Sequence, residues 1–311
     1  MSDLVLRTAV GNYGHTTPLK DGTITSPAFS MEHIEVSPVT SIFRRMVREL
    51  EFDVAEMALS TYLCARAHGK QFTGVPIFLT RAFYHGGIVV NRKSGIESPR
   101  DLEGKRFGVR SYTLTPGVWT RGLLQTEYGV DLDAITWVLS GDEHVAEYVA
   151  PANVVSSPNG NLGEMLLSGE IDAAIGAGPI DSPDVRPLFD EPDAADAAWH
   201  RKTGVYPISH MLVVKNAALD ANPDLAAELF ETFNTAKALY MGKLRSGDAA
   251  APEDRPHHRM VDVVGDDPLP YGVESSRQTL ETFVGFNVEQ KVIPEAVDVD
   301  ELFPEATLGL G

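Results

Sequence analysis

Two histidines are candidates for transferring a proton during a reaction. His85 and His210 are each flanked by apolar residues next to predicted strands. Histidine titrates near neutral pH and can give or take a proton during a reaction. A histidine in such a setting can equally be a hydrogen-bonded core residue, and the residues alone leave both interpretations open.

Two arginines could bind an acidic ligand. Arg81 precedes a predicted strand, and Arg121 lies six residues into a predicted helix. A guanidinium can grip a carboxylate through two parallel hydrogen bonds. A structural salt bridge is the alternative, above all for Arg121.

Hydroxyl groups near predicted strand ends and helix starts could hydrogen-bond a hydroxyl or a carboxylate of a ligand. They belong to Tyr13, Ser60, Thr113 and Thr115. Ser60 and Thr115 could instead cap the helices that begin there. Glu56 could orient a histidine or be a paired acid in the core.

The common catalytic and cofactor signatures are missing. Gly176-Ala-Gly178 lacks the third glycine of a dinucleotide fingerprint. The adjacent pair His257-His258 lies in a proline-rich stretch and is a poor metal motif. Cys64 is the single cysteine, either a nucleophile or a small buried residue. We therefore predict no cofactor and no metal.

The elements that must position these residues alternate between strand and helix, which predicts an α/β fold. Helices are expected from Thr115 to about Tyr128 and from Pro192 to about Thr203. A loop is expected over residues 247–269. In open α/β folds, ligands bind at strand ends and helix starts, where the polar residues above are found.

A predicted strand over 208–214 follows a complete α/β block and precedes two helices that need a sheet to cover. It therefore predicts a discontinuous first lobe, residues 1–90 and 208–311. The inserted second lobe is residues 91–207. Two chain crossings between these lobes would form a hinge.

Composition narrows the class of partner. The formal net charge is -18, which disfavours nucleic acid and anionic membrane surfaces as partners. The N-terminus has no basic region followed by a long apolar run, so we predict a cytoplasmic protein. A small anionic ligand is not excluded, because local cationic groups set the potential inside a cleft, and a homo-oligomer is also compatible with this charge.

Several motifs, in order and with matching spacing over nearly the whole chain, carry a family resemblance. One of them is Arg81-x-Phe83-x-His85, and another is Thr203-Gly-x-x-Pro-Ile-x-His210. The matching runs are residues 56–63, 75–85, 94–105, 118–124, 165–173, 203–210 and 266–272. On these motifs the sequence resembles the 4,5-dihydroxyphthalate decarboxylase family.

The resemblance implies a two-lobed, type II periplasmic-binding-protein-like fold with a hinge, related to the solute-binding proteins of ABC importers. It implies a carboxy-lyase that binds a hydroxylated aromatic acid in the inter-lobe cleft without a cofactor. The implied catalytic residues are His85 and His210. The implied substrate-binding residues are Tyr13, His15, Ser60, Arg81, Thr113, Thr115 and Arg121.

The sequence departs from the family pattern in three loops. His15 lies where the family has an arginine expected to bind a carboxylate, Ser111 replaces a glutamate, and residues 176–179 replace a Pro-Arg-Pro-like run. These changes bear on the substrate more than on the fold. A solute receptor for an importer, or another lyase or dehydratase on the same scaffold, is the alternative function.

Overall fold

The computed structural model describes residues 4–311 and divides into two compact units. Among the described residues, the first unit comprises 4–81, 208–281 and 297–311, and the second comprises 82–207 and 282–296. Residues 1–3, on which the N-terminal prediction partly rests, lie outside the described residues.

These boundaries differ from the expected ones in two places. The chain leaves the first unit after Arg81 rather than at residue 90, and residues 282–296 return to the second unit. Helical periodicity marks an apolar face, but it does not say which sheet or helix covers that face. The assignment of residues 282–296 therefore depended on tertiary packing.

The helices and strands have the following bounds. The strands of residues 4–311 are β1 (Val5–Ala9), β2 (Ser30–His33), β3 (Val54–Ala58), β4 (Phe72–Arg81), β5 (Ile88–Asn91), β6 (Arg106–Val109), β7 (Thr136–Leu139), β8 (Val154–Ser156), β9 (Ala173–Ile175), β10 (Val185–Pro187) and β11 (Ile208–Lys215). The helices are α1 (Thr17–Lys20), α2 (Thr40–Glu49), α3 (Leu59–Ala67), α4 (Thr115–Tyr128), α5 (Leu162–Ser168), α6 (Pro192–Thr203), α7 (Asn216–Ala221), α8 (Leu225–Ser246), α9 (Arg255–Val264) and α10 (Arg277–Glu289).

The first unit is built on a five-stranded sheet in the order β2-β1-β3-β11-β4. Strand β1 pairs in parallel with β2 and β3, and β11 runs antiparallel to both β3 and β4. The returning strand β11 thus lies between β3 and β4 and is not an edge strand. Helix α8 contributes Leu229, Phe230 and Phe233 to the core on one face of this sheet, and burying each such side chain contributes about 1.5–3 kcal/mol.

The second unit is built on a six-stranded sheet in the order β10-β5-β9-β6-β7-β8. Strands β9, β6, β7 and β8 are parallel, whereas β5 is antiparallel to β9 and β10. Strand β5 was expected in the first lobe, and that expectation is wrong. Residues 88–91 form a short apolar strand, and its composition fits the middle of either sheet.

Local signals placed two helices correctly. Helix α4 begins at Thr115 with Pro116 in its first turn and is followed by Gly129, whose φ is 65°. A left-handed conformation at this position ends a helix and favours glycine. Helix α6 has the predicted bounds and also ends at a left-handed glycine, Gly204.

The predicted loop over residues 247–269 is wrong, because it contains α9. Pro256 lies in the first turn of this helix, where a missing N–H costs nothing. Pro256 therefore marks the start of a helix, although the proline-rich composition of this stretch had favoured a loop. Across residues 4–311, every helix is too short or too polar to cross a bilayer.

Candidate functional site

In the first unit, His210 is held by a buried carboxylate. Glu56, on β3, is 0% exposed, and its Oε1 lies 2.6 Å from Nδ1 of His210 on β11. An ionised carboxylate only accepts hydrogen bonds, so Nδ1 carries a proton, and Nε2 is the ring nitrogen left to exchange a proton with a bound molecule. The pairing fixes both the tautomer and the direction of the ring.

The loop after β1 provides two further hydrogen-bond donors to the Glu56 carboxylate. Tyr13 Oη donates to Glu56 Oε1 over 2.7 Å, and the Gly11 amide donates to Oε2 over 2.7 Å. A Cβ on Gly11 would lie 2.6 Å from the Tyr13 ring, so this position requires glycine. Burial, reinforced by the Glu56 charge and hydrogen bond, raises the pKa of Tyr13 far above its usual range. Tyr13 therefore stays protonated and acts as a donor.

The imidazole of His210 remains accessible. Its side chain is 18% exposed, and the Phe43 ring meets it edge-on with 4.9 Å between centroids. None of the residues from 4 to 311 hydrogen-bonds its Nε2. A ring fixed at Nδ1 and open at Nε2 is suited to passing a proton to a bound molecule.

In the second unit, His85 has the same kind of support. Its Nδ1 lies 2.5 Å from Oδ1 of Asp196 on α6, and its backbone N–H donates to the same oxygen over 3.3 Å. The His85 side chain is 1% exposed, and its Nε2 has no partner within the described chain. Phe189 lies edge-on to the ring at 4.9 Å. A cavity of about 10 Å³ beside it has room for about one water molecule.

His15, predicted to bind substrate, is buried among aromatic rings. It stacks on Tyr13 at 5.4 Å, and the rings of Tyr240, His257 and Tyr271 surround it at 6.0–6.5 Å. Burial is the main reason that the pKa of His15 falls to about 3, and the charges of His257 and Lys237 add to it. The ring is therefore neutral at physiological pH.

Arg81 and Ser60 are both enclosed by other residues of the first unit. Arg81 Nη2 donates to Pro270 O over 2.9 Å and to Ser276 Oγ over 2.6 Å, so it anchors the segment before α10. Ser60 does not cap α3, because that helix begins at Leu59 and Ser60 is buried within its first turn. Their predicted contact with substrate stays a prediction.

The remaining predicted residues lie together around the start of α4 in the second unit. Thr113 donates through both its hydroxyl and its amide to Glu143. Thr115 is the first residue of α4 and is fully buried. Arg121 is also fully buried, and its Nη2 donates to Tyr112 O over 2.6 Å.

Three residues of these arrangements escaped the sequence analysis: Asp196, Glu143 and Gln290. Asp196 lies on a polar helix, and Glu143 lies in a stretch without periodicity, so neither carried a recognisable signal. Glu56 had been considered as a histidine-orienting acid. Cys64 is buried, and His257 bonds Tyr240 rather than forming a ligand cluster. Across residues 4–311, His, Cys, Asp and Glu side chains form no group of three suited to a metal ion.

Comparison with solved structures identifies the fold. A periplasmic sulfonate-binding protein of Methylobacillus flagellatus is 13% identical, with a TM-score of 0.57, and 97% of this chain and 92% of that chain align. The desulfurization enzyme DSZB is 17% identical, with a TM-score of 0.53 over 97% of each chain. At these identities the likeness shows the fold alone. It confirms the predicted periplasmic-binding-protein-like α/β class.

Comparison with families and curated relatives is more specific. Residues 32–178 match the family described as ABC transporter, phosphonate, periplasmic substrate-binding protein, which fits a small-molecule ligand. The 4,5-dihydroxyphthalate decarboxylase of Pseudomonas putida is 36% identical over 65% of this chain and 83% of its own. That of Comamonas testosteroni is 32% identical over 99% of this chain and 98% of its own. Similarity at this level along the whole chain shows that the protein belongs to the 4,5-dihydroxyphthalate decarboxylase family, a family of carboxy-lyases.

Proposed function

We propose that this protein is a non-oxidative decarboxylase of a hydroxylated aromatic carboxylic acid of the 4,5-dihydroxyphthalate type. The observation that carries the proposal is the Glu56–His210 pair, a partly exposed imidazole fixed by a buried carboxylate. Such a pair delivers protons in a defined direction, which is what replacement of a carboxylate by hydrogen requires.

The reaction needs a proton more than it needs a nucleophile. Direct loss of CO2 would leave an aryl carbanion of very high energy. Deprotonation of a hydroxyl ortho or para to the carboxylated carbon instead pushes electron density into the ring. That carbon takes a proton, the C–CO2 bond breaks, and its electron pair restores the aromatic ring and the phenolate. The phenolate then takes back the proton that the hydroxyl had lost. The net change is carboxylate plus one proton giving an aryl C–H and CO2.

His210 is our choice for the carbon-protonating acid, because its Nε2 is accessible and Glu56 can compensate the ring's positive charge. His85, with Asp196 behind it, would serve the phenol oxygen. The other predicted residues, Tyr13, His15, Ser60, Arg81, Thr113, Thr115 and Arg121, would bind or orient the substrate. Positioned acid–base groups of this kind typically contribute about 10²–10⁴-fold each.

A CO2-release assay over 4,5-dihydroxyphthalate and related hydroxybenzoates tests the proposal. His210→Ala and His85→Ala should each lower kcat by at least about 10²-fold with the fold intact. His258→Ala, which removes an exposed histidine of α9, should leave kcat unchanged. Near-normal turnover in both histidine variants, or activity lost to a chelator and restored by a divalent metal, would overturn the mechanism.

The phosphonate-binding family match supports a second candidate, a solute receptor for an importer. A receptor would bind the same acids without releasing CO2 and would be exported. Our proposal instead places the protein in the cytoplasm, as an enzyme of aromatic-compound breakdown. Cell fractionation combined with the CO2 assay separates the two functions.

A further inference from the structure

The loop before α4 holds a carboxylate that belongs to the protein itself. The Tyr112 amide donates to Glu143 Oε1 over 2.5 Å, and the Thr113 amide donates to Oε2 over 3.2 Å. The Thr113 hydroxyl donates to the same Oε2 over 2.5 Å. Two amides and a hydroxyl thus converge on both oxygens of one carboxylate, and charge-assisted bonds of this kind are the strong ones.

Arg121 holds the same peptide from its other end. Its Nη2 donates to Tyr112 O, and its Nε donates over 2.7 Å to Gln290 Oε1, while Gln290 Nε2 donates to Val118 O. The guanidinium carbon also lies 3.9 Å from the centroid of the Tyr112 ring. The carbonyl of the 112–113 peptide therefore faces a cation and its N–H faces an anion, which fixes the plane of this peptide.

Arg121 makes this arrangement dependent on an anion. It is fully buried, it donates only to neutral oxygens, and its Nη1 has no hydrogen-bond partner in the described chain. Removing the counter-charge of a buried ion is strongly destabilising. An exchange of Glu143 for another carboxylate would keep both the charge and the donors satisfied.

The position of Glu143 in the fold would allow its carboxylate to move away from the Tyr112 and Thr113 donors. It is partly buried and belongs to residues 140–153, which link β7 to β8 without forming a helix or strand. Segments of this kind move at lower cost than the elements they connect.

We propose that the Tyr112 and Thr113 donors, positioned by Arg121, form the binding site for a carboxylate of the substrate, and that Glu143 is its displaceable internal occupant. This rests on the proposed function, since it names the group by which an aromatic acid is recognised there. Glu143 then makes the site selective, because a ligand must displace it in order to bind. A neutral phenol cannot replace it, whereas a carboxylate gains the donors that Glu143 releases.

Phthalate is a suitable probe, because it has carboxylates but lacks the hydroxyl that the decarboxylation scheme needs. Binding is measured by calorimetry on the full chain. Glu143→Ala should bind phthalate about tenfold more tightly than the unmodified protein, because the competing carboxylate is gone. Glu143→Asp, which keeps the charge that buried Arg121 requires but shortens the side chain, should tighten binding less and guards against a folding defect. Thr113→Val should weaken binding about 10–100-fold. Glu191→Ala, which removes an exposed acid of the same unit, is the matched control and should change nothing.

Unchanged, weaker or absent phthalate binding in both folded Glu143 variants would overturn the inference. CO2 release is measured in parallel to keep the two proposals apart. Tighter phthalate binding without turnover of any hydroxylated acid would overturn the proposed function alone. Turnover by the unmodified protein, with no gain in phthalate affinity on removing Glu143, would overturn the carboxylate site alone.

Discussion

At the scale of single residues, both predicted histidines turn out to share one design. In each unit a carboxylate pairs with Nδ1 of the imidazole: Glu56 with His210, and Asp196 with His85. Such partners fix the tautomer, and losing one typically costs about 10–100-fold in activity where it has been tested at metal-bound histidines.

Glu56→Gln should therefore lower kcat for decarboxylation by about 10–100-fold while changing KM little, because the ring loses its orientation and counter-charge rather than a substrate contact. The comparison is with Glu32→Gln, an exposed glutamate on the edge strand β2. Steady-state kinetics on the two variants decides the matter. Equal kcat values would assign Glu56 to the core alone.

The buried ring of His15 predicts a pH effect on stability. Its pKa in the folded protein is about 3, mainly because of burial, so the unfolded chain takes up the proton first as pH falls below about 6.5. Stability is thus fully present above that pH and is lost toward pH 3, with a slope of up to about 1.4 kcal/mol per pH unit.

His15→Phe keeps a ring stacked on Tyr13 and removes the titrating group, so its urea-unfolding free energy should fall less steeply between pH 6.5 and 4. The pKa of His257 is lowered too, mainly by burial, and contributes a slope of the same sign to both proteins. Parallel curves for the two proteins would show that His15 does not carry the effect.

At the scale of elements, α4 and α10 approach closely at a glycine. A Cβ on Gly122 would lie 2.1 Å from the Phe286 ring, and Trp119 stacks on Phe283 at 4.5 Å one turn away. Arg121 lies next to this contact and donates to Gln290, which follows α10. Because Arg121 also donates to Tyr112 O, the packing of the two helices helps to position the loop before α4.

Gly122→Ala should destabilise the protein by about 1–3 kcal/mol, since overpacking outweighs the better helix propensity of alanine. Gly242→Ala on α8 is the matched control, because nothing lies within 4 Å of that position. There the same change should stabilise by up to about 1 kcal/mol. Thermal unfolding of both variants measures the contrast, and a stabilised Gly122→Ala would refute the packing argument.

At the scale of the whole molecule, the last thirty residues serve both units in turn. Residues 282–296 complete the second unit, and residues 297–311 return to the first, where Leu302 O accepts from Tyr62 Oη over 2.5 Å. The two units therefore share one chain end without either being contiguous.

A chain ending at Glu281 should lose cooperative thermal unfolding altogether. It strips Phe283, Phe286 and Gln290 from the second unit and exposes the rings they cover, and it removes Leu302 and Phe303 from the first. Circular dichroism on heating tests this directly. A sharp transition near that of the full chain would mean that the C-terminal segment is dispensable for both cores.

The sequence by itself determined the α/β class, the family, the bounds of α4 and α6, and the candidates His85 and His210. These depend on local signals such as Pro116 and Gly129, or on motifs that run along the chain. Only the tertiary structure decided that Glu56 meets His210 across 154 positions, that Asp196 meets His85 across 111, and that residues 282–296 pack with the second unit. The physical reason is that sheet order and register bring distant side chains together, and neither is written in the periodicity of a single segment.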